Sequence, residues 1–110
     1  MSNVAEHYTY RVRWSLEDDL YVGTVAELPS LSWLAEDAAD AFAGIERLAS
    51  QTVVDLEADG DSVPPALADR HYSGKFMVRV PPEAHRQLAI EAAEQDVSLN
   101  RLAASRLAHA

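Results

Sequence analysis

The sequence contains no cysteine, and this absence removes three kinds of chemistry at once. Without thiols there is no disulfide scaffold, no thiolate zinc site and no cysteine nucleophile. Long apolar runs are absent too, since no stretch approaches the roughly 18 apolar residues that a membrane span requires. The first residues lack both a basic region and an apolar run, so we expect no signal peptide. These absences predict a soluble, cytoplasmic protein without a membrane partner.

Basic residues are scarce and unevenly placed. The chain of 110 residues has 9 Lys and Arg against 18 Asp and Glu, a net charge of −9. Residues 1–70 hold four basic and fourteen acidic side chains, whereas residues 71–110 hold five basic and four acidic ones. An acidic surface repels phosphate and attracts basic partners, while a near-neutral one tolerates DNA. We therefore predict two small modules with different partners.

The first 35 residues show the alternation that is typical of β-strands. In residues 8–15, Tyr, Tyr, Val and Trp share one side, and Thr and two Arg share the other. A polar break at residues 17–19 and a second strand at 20–26 predict an antiparallel hairpin. Residues 31–35 predict a short third strand. Trp14 and Trp33 lie at strand positions that are expected to face a helix. These positions favour packing of the two rings in the core over stacking on a ligand.

The period of the apolar residues changes at Asp37, which is the predicted N-cap of a long helix. From Ala38 to Leu56 apolar side chains recur at spacings of three and four, which predicts a helix with one apolar face. Gly60 and the prolines at 64–65 end it. Residues 1–60 are thus predicted to form an α+β domain, a small antiparallel sheet packed by one long helix.

The composition of residues 61–73 predicts a linker, followed by a second module at 74–110. Its expected elements are a strand at 75–80, a helix from Pro82 or Glu83 to about Gln95, and a second helix capped by Ser98. One strand and two short helices bury too little surface alone, and a lone strand has two unpaired edges. A second copy whose strand pairs antiparallel with the first solves both problems. This arrangement is the dimeric ribbon-helix-helix fold, which places a two-stranded ribbon in the DNA major groove.

Alternation along the predicted ribbon selects the residues that would read DNA. If Phe76, Val78 and Val80 face the helices, then Lys75, Met77 and Arg79 face the bases, where Lys and Arg donate to guanine and Met contacts a thymine methyl. Ser98 and Asn100, at the start of the second helix, are the predicted phosphate contacts. The alternative stays open that Lys75 and Arg79 only protect an exposed edge strand.

The same residues carry a resemblance to a family. Residues 72–85 (Tyr-Ser-Gly-Lys-Phe-Met-Val-Arg-Val-Pro-Pro-Glu-Ala-His), followed by Ser98-Leu99-Asn100, resemble the C-terminal module of HicB-type antitoxins. The hairpin, the Leu28–Trp33 segment and the Ala-rich helix resemble their N-terminal domain, so that the likeness spans about residues 8–108. The tail motif is the more specific of the two.

The resemblance implies a partial ribonuclease-H-like front domain that binds and occludes a small HicA-like endoribonuclease toxin. It also implies a ribbon-helix-helix tail, a homodimer or higher homo-oligomer, that represses its own operon by binding operator DNA. The base-facing and phosphate-side residues carry over by position. The chain departs from the family at Asp96, because the family usually turns between its two helices with glycine. A left-handed backbone is less favourable for Asp than for Gly, so we expect strain there.

No pattern in the sequence indicates an enzyme or a cofactor. The carboxylates at 17–19 are consecutive in a turn and point apart, whereas two-metal catalysis needs them clustered on ordered elements. The histidines at 7, 71, 85 and 109 do not pair at metal-ligand spacing, and there is no nucleophile elbow or phosphate loop. Two other classes of function stay open: a stand-alone regulator whose front module binds a ligand or oligomerises, and an adaptor whose tail only dimerises.

Overall fold

Alternating side chains near the N-terminus form a three-stranded antiparallel sheet in the computed structural model, which describes residues 3–109. Strand β1 spans Tyr10–Ser15, β2 spans Leu20–Val25 and β3 spans Ser32–Ala35. The strand order is β1-β2-β3, so β1 and β3 are the edges. In this register Trp14 lies opposite Tyr21 on β2. The predicted hairpin and short third strand are confirmed.

A single long helix, α1 (Ala38–Ala58), packs on one face of this sheet. The Asp37 carboxylate accepts a hydrogen bond from the Asp40 N–H at 2.8 Å, as expected of an N-cap. At the other end Gly60 adopts a left-handed φ of 74°, and the N–H groups of residues 60 and 61 bond back to the carbonyls of Glu57 and Leu56. This is a Schellman motif, which satisfies the last carbonyls of the helix. Both predicted helix ends are therefore confirmed.

Two glycines allow α1 to lie close against the sheet. A Cβ atom at Gly23, in the middle of β2, would collide with the Ala41 carbonyl and with Ile45. A Cβ atom at Gly44 would collide with the Trp33 ring, which covers that part of the helix. The core forms where the helix and the sheet meet, and its most buried members are Ile45, Val25, Val53 and Ala49.

Both tryptophans lie on the α1 side of the sheet, as predicted, but they are less buried than core packing implies. Trp33 lies on the edge strand β3 and stays 36% exposed, with the Arg47 guanidinium 5.5 Å from its ring centre. Trp14 lies on the other edge strand and stays 47% exposed. The helix covers β2 and β3 more than β1, so the ring of Trp14 is left half open to solvent.

Most of the predicted linker packs against the N-terminal unit that contains the sheet and α1. The chain divides into two compact units, Met1–Tyr72 and Ser73–Ala110, whereas the composition placed a linker at 61–73. Residues 63–72, here called the docked segment, contribute Ala66 to the core at 1% exposure. The Tyr8 hydroxyl donates to the Pro64 carbonyl at 2.6 Å. The first unit therefore extends about twelve residues beyond its predicted end.

Glu27 holds the docked segment in place. Its carboxylate accepts hydrogen bonds from the N–H groups of Thr9, at 2.8 Å, and Leu67, at 3.0 Å. Burial opposes ionisation of this carboxyl, but its hydrogen bonds, those from the Thr9 and Leu67 N–H groups foremost, together outweigh burial, and the pKa of Glu27 lies below its usual value. A second tie joins His7 Nδ1 to the Asp69 carboxylate at 2.6 Å, and this contact raises the pKa of His7.

The second unit consists of two helices preceded by an irregular segment. Helix α2 spans Pro82–Glu94 and α3 spans Leu99–Ala108, and both were predicted. Asp96 links them with a left-handed φ of 56°, and the N–H groups of residues 96 and 97 close a second Schellman motif on α2. Ala92 and Leu102 are its buried side chains.

The predicted strand at residues 75–80 is not present in the single chain. These residues have no assigned secondary structure and belong to no sheet. A strand exists through its hydrogen-bonded ladder, and the three described strands are all in the sheet of the first unit. The pairing of this segment with a second copy, and with it the ribbon-helix-helix dimer, stays a prediction.

A truncation tests the extent of the first unit. We expect residues 1–72 alone to unfold cooperatively in urea, and residues 1–60 to lose most of their stability. The shorter chain lacks Ala66 in its core and the partners of Tyr8 and Glu27, at about 1 kcal/mol for each hydrogen bond. Circular dichroism across a urea titration measures the difference. Equal midpoints for the two chains would show that the docked segment contributes nothing.

Substitutions at Asp96 and Gly60, which both have a left-handed φ, test the strain at Asp96. Asp96→Gly removes both the Cβ penalty and a negative charge at a helix C-terminus, so we expect a gain of about 0.5–1 kcal/mol in the free energy of unfolding. Gly60→Ala is the converse change and is expected to lower stability by about 1 kcal/mol. Thermal unfolding followed by circular dichroism reports both. A lower melting temperature for Asp96→Gly would contradict the assignment of strain.

Candidate functional site

Residues 75–80, the segment before α2, have no regular secondary structure, and the residues at both ends of the segment favour this. Gly74 adopts a left-handed φ of 84°, and Pro81 has an extended ψ of 145° immediately before the helix begins at Pro82. A proline also restricts the residue before it to extended conformations, which applies here to Val80. The sequence thus excludes the segment from α2 while giving it β-branched and aromatic side chains.

Apolar side chains on this segment are unusually exposed. Phe76 is 75% exposed and Met77 83%, while Val78 and Val80 are 57% and 45% exposed. Isolated apolar side chains are normal at a protein surface, but a contiguous run of them indicates a surface that binds another molecule. Residues 76–80 therefore have the exposed apolar surface expected of a segment that binds another molecule.

Two grooves run between this segment and the helices of the same unit. The first, of about 650 Å³, has Val78 and Val80 on one side and Leu88, Leu99 and Leu107 on the other. Arg79, His85, Ala103 and Arg106 complete its lining. The second groove is lined by Phe76 and Val78 together with Asn100 and residues of α3. The prediction that Phe76, Val78 and Val80 face the helices agrees with these grooves.

The predicted DNA-reading residues lie on the same segment and are all exposed. Met77 borders neither groove, whereas Lys75 borders the second and Arg79 the first. In the single chain only Met77 of the three lies away from both grooves, so the predicted outward facing of Lys75 and Arg79 is not seen there. Their roles at DNA bases stay predictions, because a single chain has no paired ribbon to orient them.

The predicted phosphate-side residues are placed by the start of α3. Ser98 Oγ accepts a hydrogen bond from the Arg101 N–H at 3.0 Å, so its role as the N-cap is confirmed. Asn100 is exposed in the first turn and borders the second groove beside Phe76. The structure therefore brings Asn100 to the same groove as Lys75, at a helix N-terminus that favours anions.

Most basic side chains of the second unit are free to meet an anion. Within residues 3–109 the ion pairs are His7 with Asp69 and Arg106 with Glu91. The Arg106 contact joins α3 to α2 and supports their packing. The remaining cationic side chains of this unit are Lys75, Arg79, Arg86 and Arg101, which form no ion pair in the described part of the chain.

Other kinds of site leave little trace among the described residues. Between residues 3 and 109, no group of three or more His, Asp or Glu side chains is gathered in a way that would hold a metal ion. No helix in that range is both long and apolar enough to cross a bilayer. The clefts found on the first unit are lined largely by polar residues, among them Glu6, Glu46, Arg47 and Ser50.

The irregular segment, the grooves and the two helices coincide with a known family. Residues 64–107 match the HicB family. The match covers 44 of the 110 residues and supports a likeness to HicB-type proteins. No curated protein and no solved structure matches the chain significantly. The sheet and α1 lie outside the matched residues, so their likeness to ribonuclease H stays a prediction.

Sequence reasoning missed the part that the docked segment plays. The matched region begins at Pro64, within the first unit, where composition indicated only a linker. The available signal was the apolar run from Val63 to Ala68, Val-Pro-Pro-Ala-Leu-Ala, within a segment that composition marked as a linker. Glu27 gave no comparable signal, because its partner Leu67 lies 40 residues away along the chain.

Proposed function

We propose that this protein is an antitoxin that neutralises a small HicA-like endoribonuclease toxin and represses its own operon through a dimeric ribbon-helix-helix tail. The observation that carries the proposal is the exposed apolar segment at residues 76–80, which lies unpaired beside two helices. It falls inside the region that matches the HicB family. The first unit supplies the toxin-binding surface, and the second supplies dimerisation and DNA binding.

A second copy is the partner that suits the exposed segment. Antiparallel pairing of two such segments gives each backbone the ladder that it lacks in one chain. The apolar side of the ribbon then covers the grooves lined by Leu88, Leu99 and Leu107. Burying Phe76, Val78 and Val80, which are now 45–75% exposed, supplies the hydrophobic driving force for this dimer.

Pairing also orients the residues that would meet DNA. In a two-stranded ribbon whose Val78 and Val80 face the helices, Lys75, Met77 and Arg79 point to the opposite side. A ribbon of this width enters the major groove, where Arg and Lys donate to guanine. Ser98 and Asn100, at the N-terminus of α3, contact the phosphates that flank the ribbon.

The acidity of the first unit supports a basic protein as its partner. Residues 1–70 carry a surplus of ten negative charges. An endoribonuclease binds polyanionic RNA and therefore needs a basic surface, which this unit complements. Complementary charge speeds association more than it fixes the final affinity.

Co-expression tests the toxin-neutralising half of the proposal. The full chain, produced with the small basic protein encoded beside its gene, is expected to restore growth and to co-purify in a fixed ratio. Residues 1–72 are expected to neutralise the toxin as well, whereas residues 73–110 are not. If nothing binds and the chain still shifts its own upstream DNA, the antitoxin proposal fails and a stand-alone regulator is the better account.

One substitution tests the DNA-binding half. Arg79→Ala is expected to weaken operator binding by about 1–3 kcal/mol for each bidentate pair of hydrogen bonds to a base that it removes. Arg86→Ala removes the same charge from the exposed surface of α2 and serves as the matched control. Titration of operator DNA at fixed salt measures both. An equal effect of the two substitutions would show that Arg79 contributes charge and does not read a base.

A further inference from the structure

Two acidic segments and one aromatic cluster meet at the same end of the first unit. The turn between β1 and β2 follows Ser15, which lies opposite Leu20. Strand β3 ends beside the same turn, because Ala35 pairs with Tyr21. Helix α1 begins three residues later, at Ala38. The turn and the start of α1 are therefore neighbours, although more than 15 residues separate them in the sequence.

The centre of this end is apolar and exposed. Trp14 is 47% exposed and Leu16, the first residue of the turn, is 85% exposed. The Trp14 ring meets Tyr21 edge to face, with ring centres 5.1 Å apart and planes at 72°. This contact fixes the indole while leaving half of it open. A rigid, half-open tryptophan loses little entropy on binding, which is why such residues often anchor interfaces.

Carboxylates surround this centre. Glu17, Asp18 and Asp19 form the turn, and Glu36, Asp37 and Asp40 lie at the start of α1. Within residues 3–109 none of the six forms an ion pair. Asp37, through its charge and a hydrogen bond, and Glu36 raise the pKa of Asp40, so these groups lie close enough to oppose one another's ionisation. A cationic partner would relieve that repulsion.

We propose that this surface, formed by Trp14, Leu16 and Tyr21 with the six surrounding carboxylates, is where the basic toxin docks. The identity of the partner rests on the proposed function. The location of the docking surface rests on its apolar centre and its acidic rim. Interfaces commonly have such an apolar core and polar rim. The matching surface on the toxin presents an apolar or aromatic patch bordered by Lys and Arg.

Two other occupants fit this surface poorly. A second copy related by a two-fold axis would bring its own six carboxylates against these six, which costs repulsion. Nucleic acid meets the same repulsion from its phosphates. The opposite face of the sheet differs in charge, since it carries Arg11 and Arg13 on β1 and Leu34 on β3, with Val22 of β2 between Arg13 and Leu34. A basic partner is therefore directed away from that face and toward the Trp14 end.

Two substitutions of exposed residues test the apolar centre. The probe is the HicA-type toxin from the adjacent gene, carrying an inactivating substitution, and its Kd for the full chain is measured by calorimetry. Trp14→Ala is expected to weaken binding by about 30-fold or more, as for an anchoring aromatic residue. Leu16→Ser, at a position too exposed to disturb folding, is expected to weaken it by about 5-fold. Leu34→Ala is the control, because Leu34 has the same 47% exposure on the opposite face.

Paired neutralisations test the rim. Glu17→Gln with Asp19→Asn removes two charges from the turn, and Asn keeps the left-handed φ of 54° that residue 19 adopts. Glu57→Gln with Asp61→Asn removes the same charge at the far end of α1. We expect the first pair to slow association by about 3-fold or more and to reduce its salt dependence, and the second pair to do neither.

The outcomes separate this inference from the function on which it rests. If the wild-type chain binds the toxin and Trp14→Ala binds as well as Leu34→Ala, the docking surface is wrong and the antitoxin proposal stands. If the wild-type chain does not bind the toxin, both fail. If Trp14→Ala leaves toxin binding intact and abolishes self-association in sedimentation, the surface belongs to a second copy, and the inference is overturned.

Discussion

The central feature of the second unit is a segment with the sequence of a strand that has no hydrogen-bonded ladder within one chain. Residues 75–80 carry side chains suited to a sheet, yet the chain offers their backbone no ladder, and Pro81 and Pro82 exclude them from α2. The helices beside them bury little, with Ala92 and Leu102 as their buried side chains. In the proposed dimer, stability and DNA contact would be linked, since the pairing that buries the apolar side would also present the polar side.

The first unit differs from the second, because residues of the same chain pack its core. Gly23 and Gly44 admit α1 to the sheet, and the docked segment fills the remaining gap with Ala66. Glu27 fixes the position of the docked segment, because its carboxylate accepts hydrogen bonds from the N–H groups of Thr9 and Leu67. With the interior complete, the excess negative charge lies at the surface, where long-range attraction acts on a basic partner.

Local signals predicted the elements well, because each acts through residues close in sequence. Asp37, Gly60 and Ser98 cap or end helices as their residue types favour, and alternation found all three strands of the sheet. Contacts between distant residues were not predictable in this way, as the Glu27–Leu67 hydrogen bond shows. The segment at 75–80 is a different case: its alternating pattern predicted a strand, but in the single chain it has no regular secondary structure and belongs to no sheet. The half-exposure of Trp14 likewise depends on which strands α1 covers.

Amide hydrogen exchange at residues 75–80, followed over a range of protein concentrations, tests the central claim most directly. If two copies pair through this segment, alternate amides become protected at high concentration, and the protection disappears on dilution as the dimer dissociates. The amides of α1 serve as an internal reference, since the fold of the first unit does not depend on a second copy. Rapid exchange of residues 75–80 at every concentration, in a sample whose mass is that of a dimer, would contradict the paired ribbon and the DNA-binding surface built on it.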